Sequence, residues 1–223
     1  MPTPAAPVPL VPLVLPGRFR AAVFDMDGLL LDSEPMWHDA EGEFLERHGD
    51  TFSDADRDAS HGRALVDTAI AYADRLGVAA AVIEREIGEI MLARYRSGAP
   101  LHAGARMLVE GLSGRIPMAV ASNTTASLVR HALDAVGLAI PVVVSGMDMG
   151  RPKPLPDVYA EACRVLGVAP GDAVAFEDSA MGVRAAVAAG LFVVGVPERP
   201  DVDLATAGAH VVVGSLAEIV LPV

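Results

Sequence analysis

Asp25 and Asp27 close a short apolar run, Ala21-Ala22-Val23-Phe24, and stand two residues apart with Gly28 directly after them. Two carboxylates so placed can divide labour, one attacking or binding a metal while the other moves a proton. Gly28 lets the chain turn sharply enough for both to face one cleft. A second acidic pair, Glu177-Asp178, closes another apolar run ahead of Ser179 and a helical pattern. Alone, that pair reads as a helix cap, and most matches to Asp-x-Asp-Gly alone are ordinary turns. Together they put three or four carboxylates on one edge of a sheet, and a hard, oxygen-seeking cation such as Mg²⁺ relieves that crowding. Ser122-Asn123-Thr124 closes a third run. A hydroxyl beside the N–H groups of a helix start suits a phosphate, or serves as a plain N-cap. Lys153 lies in the proline-fixed loop Pro152-Lys153-Pro154-Leu155-Pro156-Asp157. It is the one lysine beside sixteen arginines, so any mechanism that needs a lysine uses it.

These groups need a frame that brings strand ends together. Apolar runs at Phe19–Phe24, Met118–Ala121, Val142–Val144, Ala173–Phe176, Phe192–Val196 and Val211–Val213 read as buried strands. Helical patterns over Thr124–Val136, Asp157–Leu166 and Ser179–Ala189 alternate with them, with Gly137, Gly167 and Gly190 as stops. Such alternation predicts an α/β fold, a Rossmann-like parallel sheet with helices on both faces and ligands beyond the carboxyl ends of the strands. Residues 33–98 break the rhythm with helix patterns alone. Met36, Trp37, Ala40, Phe44 and Leu45 make one apolar stripe, with charged residues opposite. Leu65, Ala69, Tyr72 and Leu76 make a second, and Val82, Ile83, Ile87, Ile90 and Met91 a third. The simplest organisation is a proline-rich, irregular arm over 1–17, an α/β core over 18–32 and 99–223, and an inserted α-helical domain over 33–98.

The chain has 223 residues, 52% of them hydrophobic, a formal net charge of −12 and a single cysteine, Cys163. One cysteine excludes a disulfide framework and favours a reducing compartment. The acidic balance leaves no basic stripe for nucleic acid or anionic membrane. Pro9, Pro12 and Pro16 interrupt the one candidate apolar span. The expectation is a cytoplasmic monomer with no nucleic-acid or membrane partner. The six histidines show no metal-ligand spacing, which argues against zinc.

The ordered set resembles the haloacid-dehalogenase superfamily, over essentially all of residues 19–215. Asp25-Met26-Asp27-Gly28 is similar to its first motif, Ser122 to the second, Lys153 to the third and Glu177-Asp178 to the fourth. The strings FDMDGLLLDSEP, KPLPDVY and FEDSAMGVRAAVAAG resemble the branch of sugar-phosphate phosphatases and β-phosphoglucomutase, where a helical cap follows the first motif. The resemblance implies a Mg²⁺-dependent phosphatase acting on a small phosphorylated metabolite. Asp25 would be the nucleophile that becomes an aspartyl-phosphate, and Asp27 the general acid and base. Asp25, the Asp27 carbonyl and Asp178 would hold Mg²⁺, with Glu177 ligating directly or through water. Ser122, the Asn123 amide and Lys153 would hold the phosphate.

The alternative within the branch is a β-phosphoglucomutase-like mutase. Against it, the mutases' cap histidine aligns with Trp37, with His38 one step out of register, and their cap arginine aligns with Leu65. Gly28, Glu34, His61 and Arg63 are the residues expected near the substrate. Glu34 equally suits a helix first turn, and His61 and Arg63 equally suit a surface. Trp37, at helical spacing with Phe44, reads as core.

Overall fold

The structure, a computed structural model, describes residues 13–14, 17–60, 64–199 and 201–221. The predicted parallel sheet is present. Strands β2 (Ala21–Phe24), β3 (Met118–Ser122), β4 (Val142–Ser145), β5 (Ala173–Glu177), β6 (Phe192–Gly195) and β7 (Val211–Val212) pair in the order β4-β3-β2-β5-β6-β7, every pair parallel. Every residue of β2, β3 and β5 is buried, as continuous apolar runs covered on both faces must be. Side chains alternate by strand period. Ala21, Val23, Ala119, Ala121 and Ala175 face one core with α7 (Asp157–Leu166) and α8 (Ala180–Ala189). Ala22, Phe24, Val120 and Phe176 face the other, with α5 (Ala105–Leu112) and α6 (Ala126–Val136). The chain leaves β2 for β3 on one side and reaches β5 on the other, so a switch point lies at the carboxyl end of β2.

Four helices lie between β2 and α5: α1 (Glu34–Arg47), α2 (Asp54–Ser60), α3 (Leu65–Leu76) and α4 (Ala80–Arg96). The two connections that carry them pair with each other. Leu31 bridges Leu101, Asp32 N–H donates to the Pro100 carbonyl at 3.0 Å, and His102 N–H donates to that of Leu30 at 3.0 Å.

Four features depart from the sequence reading. On α1 the side opposite the apolar stripe is not uniformly solvated, since His38 and Glu41 are buried. Helix α2 buries no residue, so it carries no stripe to read. Helix α5 buries Ala105, Leu108, Val109 and Leu112 at ordinary helical spacing, a pattern the strand-and-helix alternation passed over. The arm expected to be irregular contributes Leu13–Val14 (β1), paired in parallel with Ile219–Val220 (β8); two-residue strands carry no period. The remainder of that arm up to residue 12 lies outside the described residues.

Candidate active site

Register fixes the first acid. Phe24 lies opposite Phe176 with their rings stacked at 5.0 Å, and Asp25 N–H donates to the Phe176 carbonyl at 3.0 Å. Asp25 therefore emerges level with Glu177 on the neighbouring strand. The Lys153 loop reaches the same point because the Asn123 side chain grips its backbone. Asn123 Oδ1 accepts from Lys153 N–H at 2.7 Å, and Nδ2 donates to the Lys153 carbonyl at 3.3 Å. Lys153 Nζ donates to Asp25 Oδ1 at 2.5 Å and to Glu177 Oε1 at 2.6 Å. Tyr159 Oη donates to the same Glu177 oxygen at 2.5 Å, while Glu177 Oε2 accepts from Ser179 N–H and Oγ at 3.2 Å each. Gly182 leaves room for this carboxylate, which a Cβ there would overlap.

Of three buried carboxylates, Asp25 and Glu177 pair with the Lys153 ammonium and Asp178 lies beside them without that contact. Burial pushes Asp25 well above the usual carboxylate range; Lys153 opposes this, and Glu177 and Asp27 add to it. Asp178 is raised likewise, by burial first and then by Asp25 and Glu177. Burial alone would pull Lys153 down, but Asp25 and Glu177 outweigh it and keep the ammonium charged. Gly28, at φ +83°, backs Asp178, and a Cβ there would overlap its carboxylate. The site holds more negative charge than its one lysine can balance.

Asp27 is gripped from two sides. Its Oδ1 accepts from Ser33 Oγ at 2.7 Å, Trp37 Nε1 at 3.1 Å and Tyr95 Oη at 2.6 Å, and its Oδ2 accepts from Thr124 Oγ1 at 2.8 Å. Ser122 Oγ, buried at the end of β3, accepts from Thr124 N–H at 2.9 Å and keeps its own hydrogen to donate.

One cavity collects Asp25, Asp27, Ser122, Asn123, Lys153 and Asp178 on its sheet side and Glu34 on its helical side. Gly28, against Asp178, and Glu177, bonded to Lys153, do not line it. His61 and Arg63 lie outside the described residues. Trp37, expected in the core, lines the cavity and donates to Asp27. Tyr95 and Thr124 join it as donors to Asp27. For Tyr95 a signal existed: Ile83, Ile87, Met91 and Tyr95 follow one another at four-residue steps and are all buried, and a phenol ending an apolar stripe needs a hydroxyl partner. Asp32 and His102, from the paired connections, and Glu198, beside Gly28, each bring a ligand atom within 4.8 Å of the others. Residues so far apart in sequence have no spacing to read.

The haloacid dehalogenase-like hydrolase profile matches residues 19–190. The validoxylamine A 7'-phosphate phosphatase of Streptomyces hygroscopicus subsp. limoneus is 30% identical over 211 residues, covering 92% of this chain and 97% of that protein. Hexitol phosphatase B of Escherichia coli K12 is 32% identical over 232 residues, covering 92% and 96%. Among solved structures, CbbY of Rhodobacter sphaeroides, in complex with xylulose-(1,5)bisphosphate, superposes with a TM-score of 0.81 at 28% identity, covering 91% of this chain and 97% of that one.

Proposed function

The chain belongs to the haloacid dehalogenase-like hydrolases, and from that premise we propose that it hydrolyses a small phosphate monoester, a sugar or polyol phosphate, through an aspartyl-phosphate on Asp25. The observation that carries this reading is the 2.5 Å contact of the single lysine with Asp25, in a cavity that also presents Asp27, Ser122 and Asp178. The phosphatases among its relatives support the same reaction class.

Asp25 attacks phosphorus in line and the bond to the leaving alcohol breaks. Asp27 gives a proton to the departing oxygen, then takes one from the water that cleaves the aspartyl-phosphate. Inorganic phosphate leaves and Asp25 is restored. Monoester hydrolysis calls for accelerations up to on the order of 10²¹. Fixed positive charge and donors around the phosphoryl group are therefore the largest requirement. Lys153 and the Ser122 hydroxyl supply them from the protein, and Asn123 holds Lys153 in place through its backbone.

The donor set fits a divalent cation. Asp25, Asp178 and the Asp27 carbonyl offer hard oxygens, buried acid exceeds buried base, and Gly28 opens the space beside Asp178. Mg²⁺ bound there would supply the charge that keeps these carboxylates ionised and would draw negative charge from the phosphoryl oxygens. Glu177, a ligand by resemblance, has both oxygens engaged by Lys153, Tyr159 and Ser179, and we assign it to anchoring the lysine.

Trp37 and Leu65 line the cavity at the positions where the mutases carry histidine and arginine, which supports hydrolysis over the mutase alternative. We propose further that helices α1–α4 form a cap over 33–98 on a core of 18–32 and 99–223, and that the protein works as a cytoplasmic monomer. Among the described residues no helix is long and apolar enough to cross a membrane.

The test is phosphate release from a sugar-phosphate panel with Mg²⁺. Asp25→Asn and Asp27→Asn should abolish it in folded protein, and near-normal release by Asp25→Asn overturns the assignment. Free phosphate in excess of isomerised substrate separates hydrolysis from mutase activity.

A further inference from the structure

Glu34, Trp37 and Glu41 recur at i, i+3 and i+7 along α1 and all line the cavity; Leu65 and Thr68, at i and i+3 on α3, face it from the neighbouring helix. The reaction derived above uses the floor of this cavity and Asp27, and has no part for Glu41. Yet Glu41 is 4% exposed, a burial that a carboxylate adopts at a cost unless donors surround it. One donor is fixed. Tyr72 Oη, a turn beyond Thr68 on α3, donates to Glu41 Oε2 at 2.8 Å. Burial pushes Glu41 up to about 7; the Tyr72 and Ser60 hydroxyls oppose this, and Glu34 and Asp56 add to it. Among the described residues no cation pairs with it. The cavity thus runs from a floor with Lys153 and a hydroxyl, where the phosphate would sit, to a roof that carries the buried Glu41 carboxylate beside the Ser60 and Thr68 hydroxyls.

We propose that Glu41, backed by Tyr72, recognises the leaving group by accepting hydrogen bonds from its hydroxyls, and that the substrate is a polyol or sugar monophosphate with no second acidic group. This rests on the phosphatase reading and narrows it. A hydroxyl-bearing leaving group adds donors to a buried carboxylate that two hydroxyls and no cation among the described residues face. A second phosphate or a carboxylate would instead meet the buried Glu41 carboxylate inside a low-dielectric wall and be repelled.

Three substrates test it with Mg²⁺ present: sorbitol 6-phosphate, p-nitrophenyl phosphate, which has no hydroxyls, and fructose 1,6-bisphosphate. The wild-type chain should prefer sorbitol 6-phosphate in kcat/KM. Glu41→Ala should lower the ratio of kcat/KM for sorbitol 6-phosphate to that for p-nitrophenyl phosphate about ten- to hundredfold, mainly through KM. Glu41→Gln keeps the volume and an acceptor oxygen, and should give a smaller loss in protein whose thermal unfolding verifies its fold. Calorimetric binding of sorbitol 6-phosphate to the Asp25→Asn chain, with and without Glu41→Gln, reads the same contact without turnover and should weaken. Turnover of p-nitrophenyl phosphate alone, or a preference for the bisphosphate, overturns the proposal while leaving the phosphatase reading intact. So does an unchanged ratio in both variants. Absent release from all three esters counts against the phosphatase reading, and the binding comparison then decides the role of Glu41. Weaker binding in the double variant upholds that role; equal binding, or none to the Asp25→Asn chain, ends it.

Discussion

At the scale of single residues, Lys153 has two separable tasks. Its ammonium is the one cation between two buried carboxylates, and it also lies where phosphoryl charge would develop. Removing one partner of a buried pair leaves uncompensated charge and costs about 3–5 kcal/mol. Lys153→Met should therefore lower stability by roughly that amount in denaturant melts and cut phosphate release by about 10²-fold or more. Adding Glu177→Gln removes one stranded charge, so the double variant should regain part of the stability and none of the turnover. Equal recovery of both would show that the lysine only holds the fold. Gly28 makes a second residue-scale case. Its φ of +83° and the overlap its Cβ would make with the Asp178 carboxylate oppose a side chain for two independent reasons. An αL alanine costs about 1–2 kcal/mol. Gly28→Ala should therefore leave a folded chain whose Mg²⁺ titration midpoint for phosphate release moves to higher concentration as Asp178 is displaced.

Elements decide how Asp27 is aimed. Helix α1 supplies Trp37, α4 supplies Tyr95, the connection before α1 supplies Ser33, and the loop after β3 supplies Thr124. Three of the four donors thus come from the helical insert or its connection, so the position of that insert sets where the proton-transferring carboxylate points. Burial and Asp27 hold the Tyr95 phenol well above its ordinary value, so it remains a donor throughout the neutral range. Tyr95→Phe keeps the ring in its apolar stripe and deletes only the hydroxyl. It should cost about 1 kcal/mol in stability and lower kcat about ten- to hundredfold, with KM little changed in steady-state assays. The same elements show what a sequence discloses. Asp25, Ser122, Lys153 and Asp178 were legible because parallel strands end at one edge, so strand ends that are distant in sequence must be neighbours. The grip on Asp27 was not. Trp37 and Tyr95 occupy apolar helical stripes, and whether such a ring ends in the core or at a cleft depends on how two helices pack against the sheet. Helix α2, with no buried residue, offers no periodic signal at all.

Over the whole molecule, the excess of acid that shapes the cavity also shapes stability. The net charge of −12 is spread over the surface and screened by salt, but the carboxylates in the cavity are not. Mg²⁺ at 100 times its dissociation constant should raise the unfolding free energy by about 2.7 kcal/mol if it binds the folded state alone, and a chelator should remove that gain. The pH response is independent of metal at Glu41. Its ordinary value is 4.5 and burial pushes it up to about 7 in the folded chain. Between those values the folded protein keeps a proton that the unfolded chain has lost, so stability falls as pH rises through the window. Below it both states are protonated, and above it both are ionised with the full difference expressed. One unit corresponds to about 1.4 kcal/mol, so the loss from this group approaches roughly 3 kcal/mol. Urea unfolding at pH 5 and pH 8, with chelator present, should therefore show the wild-type chain losing about that much more than Glu41→Gln, which cannot titrate. Parallel pH profiles for the two proteins would mean that Glu41 is solvated in the folded state. That result would also remove the physical reason for a ligand to supply its donors.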